Sequence, residues 1–274
     1  MSPKHFSYIR LFFSFINEIY LKKPIIYELT KRDFQAQYKG SYLGFFWTYI
    51  QPLLFILVIW AVLSFGFRLQ NIENAPHSFW LIIGMIPWLY FSEVFVATTN
   101  VVQQFSFLIK KVDFSLGILP LVKIFSAFIN HLIFVILTIL LGCFYGIYPS
   151  LYTIQIIYYV ISMFFLLMGL GWITSSTSVF VKDINNIVTI LVQFGFWLTP
   201  VFRSISMIPE KFHWIIKLNP VHYIISGYRD TFIYKVPFWE KPIETLYFWI
   251  TVIVILLICS VVFRRLRPHF AEVI

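Results

Sequence analysis

Six stretches of this chain are each close to the roughly 20 predominantly apolar residues that a helix needs to cross a bilayer's hydrocarbon layer. They cover residues 46–67, 79–101, 118–146, 153–179, 185–202 and 245–263. Backbone groups in lipid must pair within their own segment, so runs of this length have to be helices. The chain is therefore expected to be an all-α integral membrane protein. Composition agrees, since 59% of its 274 residues are hydrophobic and only 12% are charged, about half the charge of a soluble domain. That excludes a water-soluble enzyme, a disordered chain and a nucleic-acid binder. Cys143 and Cys259 both lie inside apolar runs and read as buried thiols, not as a disulfide framework or metal site. No cleaved leader is expected, because the N-terminus lacks a continuous apolar core followed by a small-residue cleavage site.

The formal charge of +9 fits loops held at an anionic membrane face. Basic residues precede the first run, follow the sixth, and occupy the turns after the second (Lys110, Lys111) and fourth (Lys182). The short loops 68–78 and 147–152 hold only Arg68. The positive-inside rule then puts both termini of a multi-pass protein in the cytoplasm. The whole chain reads as one transmembrane domain. Residues 1–45 form a cytoplasmic interfacial region, 46–202 the first five spans, 203–244 an outer-face segment, 245–263 the sixth span and 264–274 a cytoplasmic tail.

Two segments do not span. In 5–23, Phe6, Ile9, Phe13, Ile16 and Tyr20 recur at helical spacing opposite a polar stripe, which predicts a helix lying in the interface. In 203–244, Pro209 and the Asn219-Pro220 pair mark helix starts. Two short helices, 209–217 and 220–234, are expected to dip into the outer leaflet. Its cations Arg203, Lys211 and Arg229 are placed to receive a head group or to pair with Glu210 and Asp230, and pairing is the preferred reading.

No phosphate-binding loop, H-E-x-x-H, Gly-x-Ser-x-Gly or paired-cysteine motif occurs, and the acids are scattered, unlike those of a membrane glycan-modifying enzyme. Ionisable residues inside spans normally mark function. The candidates are Glu93, Lys123 and His131. Lys123 is expected to snorkel, His131 to be a hydrogen-bonded packing residue, and Glu93 to line a polar cavity. One isolated acid is thin support for an ion-coupled carrier, so the driving force is expected to come from another subunit.

Ordered blocks along the chain then acquire a meaning. They are Arg32-Asp33-Phe34, Tyr38-Lys39-Gly40-Ser41, Gln51-Pro52-Leu53, Pro87-Trp88, Leu108-Ile109-Lys110-Lys111-Val112, Val181-Lys182-Asp183-Ile184, Thr199-Pro200-Val201, Leu218-Asn219-Pro220 and Tyr228-Arg229. In order and spacing the chain resembles the membrane subunit of the ABC-2 type polysaccharide exporters, which handle O-antigens, capsular polysaccharides and wall teichoic acids. Two departures are Gln37, where the family pattern has a basic residue, and 113–117, which lacks the usual Pro and Arg-Glu pair.

The resemblance implies six helices and a homodimer enclosing a conduit walled by the first and fifth spans. It also implies two cytoplasmic ATPase subunits that carry the ATP and Mg2+, leaving no cofactor in this chain. On those two spans, the aromatic residues Tyr42, Phe45, Phe46, Trp47, Phe55 and Trp60, then Phe194, Phe196 and Trp197, are channel candidates. Gln193 and Thr199 supply hydrogen bonds there. Sugar C–H faces lie well on aromatic rings, and many weak contacts let a polymer slide. Lipid-facing Phe and interfacial Trp or Tyr belts explain the same residues. Arg10, Lys31, Arg32, Tyr38 and Lys39 are candidates for the entrance of a polyprenyl diphosphate; a solvated inside-positive cluster explains them equally. The loop after the second span is implied to couple to the ATPase, with apolar Phe105, Phe107, Leu108 and Ile109 beside basic Lys110 and Lys111. Rival readings are an ABC-2 exporter of a small lipid or drug, and a membrane-bound glycan-modifying enzyme.

Overall fold

The computed structural model describes residues 20–37, 44–66, 75–106, 116–202, 204–205, 208–266 and 270, without the side chains of Phe45, Leu116 and Arg264. Its regular elements are helices. Helix α1, Lys23–Ala36, starts with Pro24 in its first turn, where the missing N–H costs no hydrogen bond. Its buried residues Ile26, Thr30 and Asp33 recur at helical spacing, and the helix packs along α4, Leu119–Phe144. Of the amphipathic stretch 5–23, residues 5–19 lie outside the described residues.

Among the described residues, five helical segments are long and apolar enough to cross a membrane: Trp47–Gly66, which contains α2 (Trp47–Ala61); α3, His77–Gln104; α4; Leu151–Ser178, which contains α5 (Ile156–Ser178); and Pro242–Phe263, within α9 (Pro242–Leu266). These match the expected runs to within a few residues. Burial ranks them. In its apolar stretch α3 has 72% of residues buried, against 11% for Trp47–Gly66 and 17% for Pro242–Phe263. Helix α3 is thus the axis of the protomer, touching α4, α5, α6 (Ile184–Leu198) and α8 (Pro220–Arg229), while α2 and α9 lie at the periphery.

Close helix approach has a local cause. A Cβ on Gly171 of α5 would come within 3.0 Å of Thr98 on α3. The same seam is tied by Thr99 Oγ1 donating to Thr174 Oγ1 (2.9 Å) and Ser178 Oγ donating to the Thr99 carbonyl (2.7 Å). Small residues and hydroxyls of this kind join helices where the hydrophobic effect does not separate one apolar surface from another. Helix α4 ends at Gly146, whose φ of +77° lets the Ile147 N–H bond back to the Gly142 carbonyl (2.8 Å).

The fifth expected span differs from its sequence boundary. Residues 185–202 were expected to cross, but α6 stops at Leu198 after 15 residues. At 1.5 Å per residue that is about 22 Å, short of a roughly 30 Å hydrocarbon core. Thr199, ahead of Pro200, has already turned extended (φ −83°, ψ 136°), as the proline's preceding residue must. The segment 203–244 then forms the expected pair of short helices. The first is a tight turn, Glu210–Phe212, leading into α7, His213–Lys217. The second, α8, has Asn219 as its N-cap, accepting from Val221 N (3.0 Å), and runs on through a wider turn, Asp230–Tyr234. Helix α8 is embedded: Tyr158 OH, Tyr223 OH and Thr245 Oγ1 form a chain of 3.0 and 2.9 Å contacts linking α5, α8 and α9.

Candidate functional site

Helices α2, α3, α4 and α6 enclose a cleft of about 580 Å³. On the α3 side, Glu93, Ala97, Asn100 and Gln104 line it, a spacing of four, three and four that keeps them on one helical face. From α4 come Asn130, His131 and Phe134, from α2 Thr48 and Pro52, and from α6 Thr189 and Gln193. Most of the remaining wall is aliphatic, including Ile86, Leu89 and Val192. Glu93 is the one acid or base, apart from His131, among the described lining residues.

Two of these groups are fixed from behind. His131 is buried, stacks on Tyr90 (centroids 4.5 Å apart) and shares a 2.8 Å hydrogen bond through Nε2 with Tyr228 OH; its Nδ1 has no partner. Asn130 accepts from Tyr49 OH through Oδ1 (3.3 Å), while its Nδ2 is buried and unpartnered. Glu93 lines a cleft as expected, but one whose wall is mostly apolar and not polar; His131 is the expected hydrogen-bonded packing residue. Lys123 does not snorkel. It crosses to α1 and forms a 2.5 Å ion pair with Asp33, with both side chains largely buried. That pair, with a 3.3 Å bond from Gln37 Nε2 to Ser126 Oγ, clamps α1 to α4.

At the other end of α3 a second polar device holds the α6 terminus. Arg229, 5% exposed, donates to the carbonyls of Pro200 (2.8 Å) and Val201 and lies over the Trp80 indole. Asn219 Nδ2 donates to Thr199 Oγ1 (2.7 Å). Asp230 pairs instead with Lys241; burial pushes its carboxyl above the ordinary carboxylate range against the pull of that lysine. Pairing of Arg229 with Asp230 or Glu210, and reception of a head group by Arg229, are both corrected here: its guanidinium is spent on backbone carbonyls that the end of α6 leaves open.

The channel candidates separate by burial. Phe46, Trp47, Phe55, Gln193, Phe194 and Trp197 are exposed on the single protomer and Trp60 is half-buried. Phe196 and Thr199 are corrections: Phe196 is 6% exposed, packed against Phe55 and Trp88 (5.8 and 6.0 Å), and Thr199 is 1% exposed. Both brace the wall from inside and do not face a conduit. Tyr42 and the Phe45 side chain lie outside the described residues. At the entrance, Lys31 and Arg32 are exposed on α1, with Arg32 Nε 3.1 Å from Glu28; Arg10, Tyr38 and Lys39 lie outside the described residues. Of the coupling candidates, Phe107, Leu108, Ile109, Lys110 and Lys111 also lie outside them. Phe105 is half-buried against the cluster of Val101, Val102 and Leu119, so it is a packing residue of the bundle end and not an exposed docking group.

Sequence reading missed Asn100, Gln104, Asn130, Thr48 and Thr189 as cleft residues. The first two carried a signal in their helical register with Glu93.

An ABC-2 type transporter family model matches residues 25–233, which include α1 to α8. The chain belongs to the ABC-2 type transporter family. Among curated ABC-2 relatives, an O-antigen export system permease protein RfbA of Klebsiella pneumoniae is 31% identical over 252 residues, 90% of this chain and 93% of that protein. One of the same name from Myxococcus xanthus is 28% identical over 260 residues, 94% and 98% of the two chains.

Proposed function

We propose that this protein is the transmembrane subunit of an ATP-driven exporter that moves a polyprenyl-diphosphate-linked polysaccharide of the O-antigen class to the outer face of the inner membrane. The observation that carries the reading is the end-to-end similarity to permeases named for O-antigen export, at 28–31% identity over at least 90% of both partners. Two copies face each other through α2 and α6, the spans that carry exposed aromatic residues on the single protomer. Phe46, Trp47, Phe55, Phe194 and Trp197 then offer ring faces to sugar C–H surfaces, with Gln193 as a hydrogen-bonding partner. A large exposed apolar surface marks an interaction site, and a sliding polymer needs contacts that are weak and repeated.

Force comes from a separate cytoplasmic ATPase that holds ATP and Mg2+. In this reading α1 belongs to the cytoplasmic end of the bundle, on the side of the ATPase. Lys31 and Arg32 on the exposed face of α1 are placed to hold a diphosphate by charge-assisted bonds. Reconstitution of the chain with its ATPase in proteoliposomes, supplied with lipid-linked glycan, tests the reading. ATP-dependent appearance of glycan on the face opposite the ATPase is expected; its absence with a functional ATPase overturns it.

A further inference from the structure

The cleft among α2, α3, α4 and α6 is lined by a single protomer and is open at its surface, where Glu93, Gln104, Thr189 and Gln193 are exposed. Its volume of about 580 Å³ falls in the range of small-ligand sites, roughly 300–1,000 Å³. Such sites are mostly apolar walls with a few placed polar groups, which describes this lining. Polar side chains inside a membrane bundle are costly unless they serve a partner, and here Asn130 Nδ2 and His131 Nδ1, on residues each 3% exposed, have none in the protein.

The chemistry of the lining selects the partner. No Lys or Arg lines it among the described residues, so a phosphate would meet Glu93 with no compensating cation. A cation would satisfy Glu93 but leave the amide N–H groups of Asn130 and Gln104 facing the cleft without an acceptor from it, while Asn100 Nδ2 already donates to the Val96 carbonyl (3.2 Å). A hydroxyl both donates and accepts, and vicinal hydroxyls match carboxylate and amide side chains together. Tyr90 and Phe134 add ring surface for the C–H face of a pyranose.

We propose that this cleft is a carbohydrate pocket within each protomer, binding a neutral, hydroxyl-rich sugar unit through Glu93, Asn100, Gln104 and Asn130. It rests on the reading of the chain as a glycan exporter and adds to it the polar groups of each protomer that hold a sugar unit, in a cleft that shares Gln193 with the exposed face of α6.

The test uses the full complex with its ATPase in lipid nanodiscs. Ala97 lines the cleft and becomes a reporter as Ala97→Cys, with Cys143 and Cys259 replaced by Ala. The rate of maleimide labelling is read with no addition, with neutral di- and trisaccharides released from the host's surface glycan, with tetramethylammonium, and with inorganic diphosphate. Slowing by the saccharides alone is expected, about threefold when their concentration is twice Kd. It should be lost in Asn130→Leu and in Glu93→Leu, two variants on different helices. Equal labelling with and without saccharide, or protection by the cation or the diphosphate instead, overturns the pocket. Export by the parent complex is measured in parallel in proteoliposomes: a complex that exports glycan yet shows no protection rejects the pocket alone, whereas one that exports none rejects the exporter reading beneath it.

Discussion

The Arg229 guanidinium carbon lies 3.3 Å from the centre of the Trp80 indole ring, with its N–H groups turned to the carbonyls of Pro200 and Val201. One cation thus closes the end of α6, stacks on α3 and belongs to α8. Arginine is suited to this because a planar fork can stack and donate in two directions at once. Arg229→Lys keeps the charge but loses the fork and the stacked plane. It is expected to cost about 2–3 kcal/mol and to lower the Tm of the detergent-solubilised protein by roughly 5–10 °C. An unchanged Tm by differential scanning fluorimetry would remove Arg229 from this structural role.

Gly84 is the matching position on α3. A Cβ there would run into the Arg229 guanidinium and come within 2.8 Å of the Val201 carbonyl. Gly84→Ala is therefore expected to lower Tm even though alanine is the better helix former. Its cost should shrink by about 1 kcal/mol in an Arg229→Ala background, since neighbours sharing a partner are not additive. A double-mutant cycle with strictly additive values refutes the shared contact.

Much of this fold could be read from the chain because a bilayer imposes a length. Five helices long enough to cross and the two short helices between α6 and α9 follow from 20-residue apolar runs and from Pro and Asn punctuation. The end of α6 did not follow, since apolar residues continue to 202 and the stop depends on Pro200 and on an arginine 29 residues away. Arg229 beside Asp230 suggested an ion pair, yet neighbours in a helix point in different directions, and Asp230 meets Lys241 instead. Half of the cleft was legible as the 93–97–100–104 register. The other half was not, because Asn130 and Thr189 join it only through the packing of separate spans.

The Asp33–Lys123 pair clamps α1 to α4 with both side chains about nine-tenths buried. Removing one partner leaves the other as an unpaired buried charge, which is costlier than losing both. Lys123→Met is expected to destabilise by about 3 kcal/mol and to raise hydrogen exchange across residues 23–36. Asp33→Asn combined with Lys123→Met should recover part of that loss. If the double variant is as unstable as the sum of its singles, the ion pair is not what holds α1.

Phe194 and Phe196 lie two residues apart on α6 with opposite surroundings. Phe194 is 65% exposed and Phe196 6% exposed, the latter against Phe55, Trp88 and Phe202. Phe196→Ala opens a cavity and is expected to cost about 3 kcal/mol or more, seen as a lower Tm with export falling only as folded protein is lost. Phe194→Ala removes a side chain that its own protomer hardly touches, so stability should change by no more than about 0.5 kcal/mol. If the exposed face of α6 meets the glycan, export per folded complex should fall several-fold in Phe194→Ala and stay near the parent value in Phe196→Ala. The reverse pattern, with Tm lost at Phe194 and export per folded complex lost at Phe196, would place the working surface of α6 on its buried side.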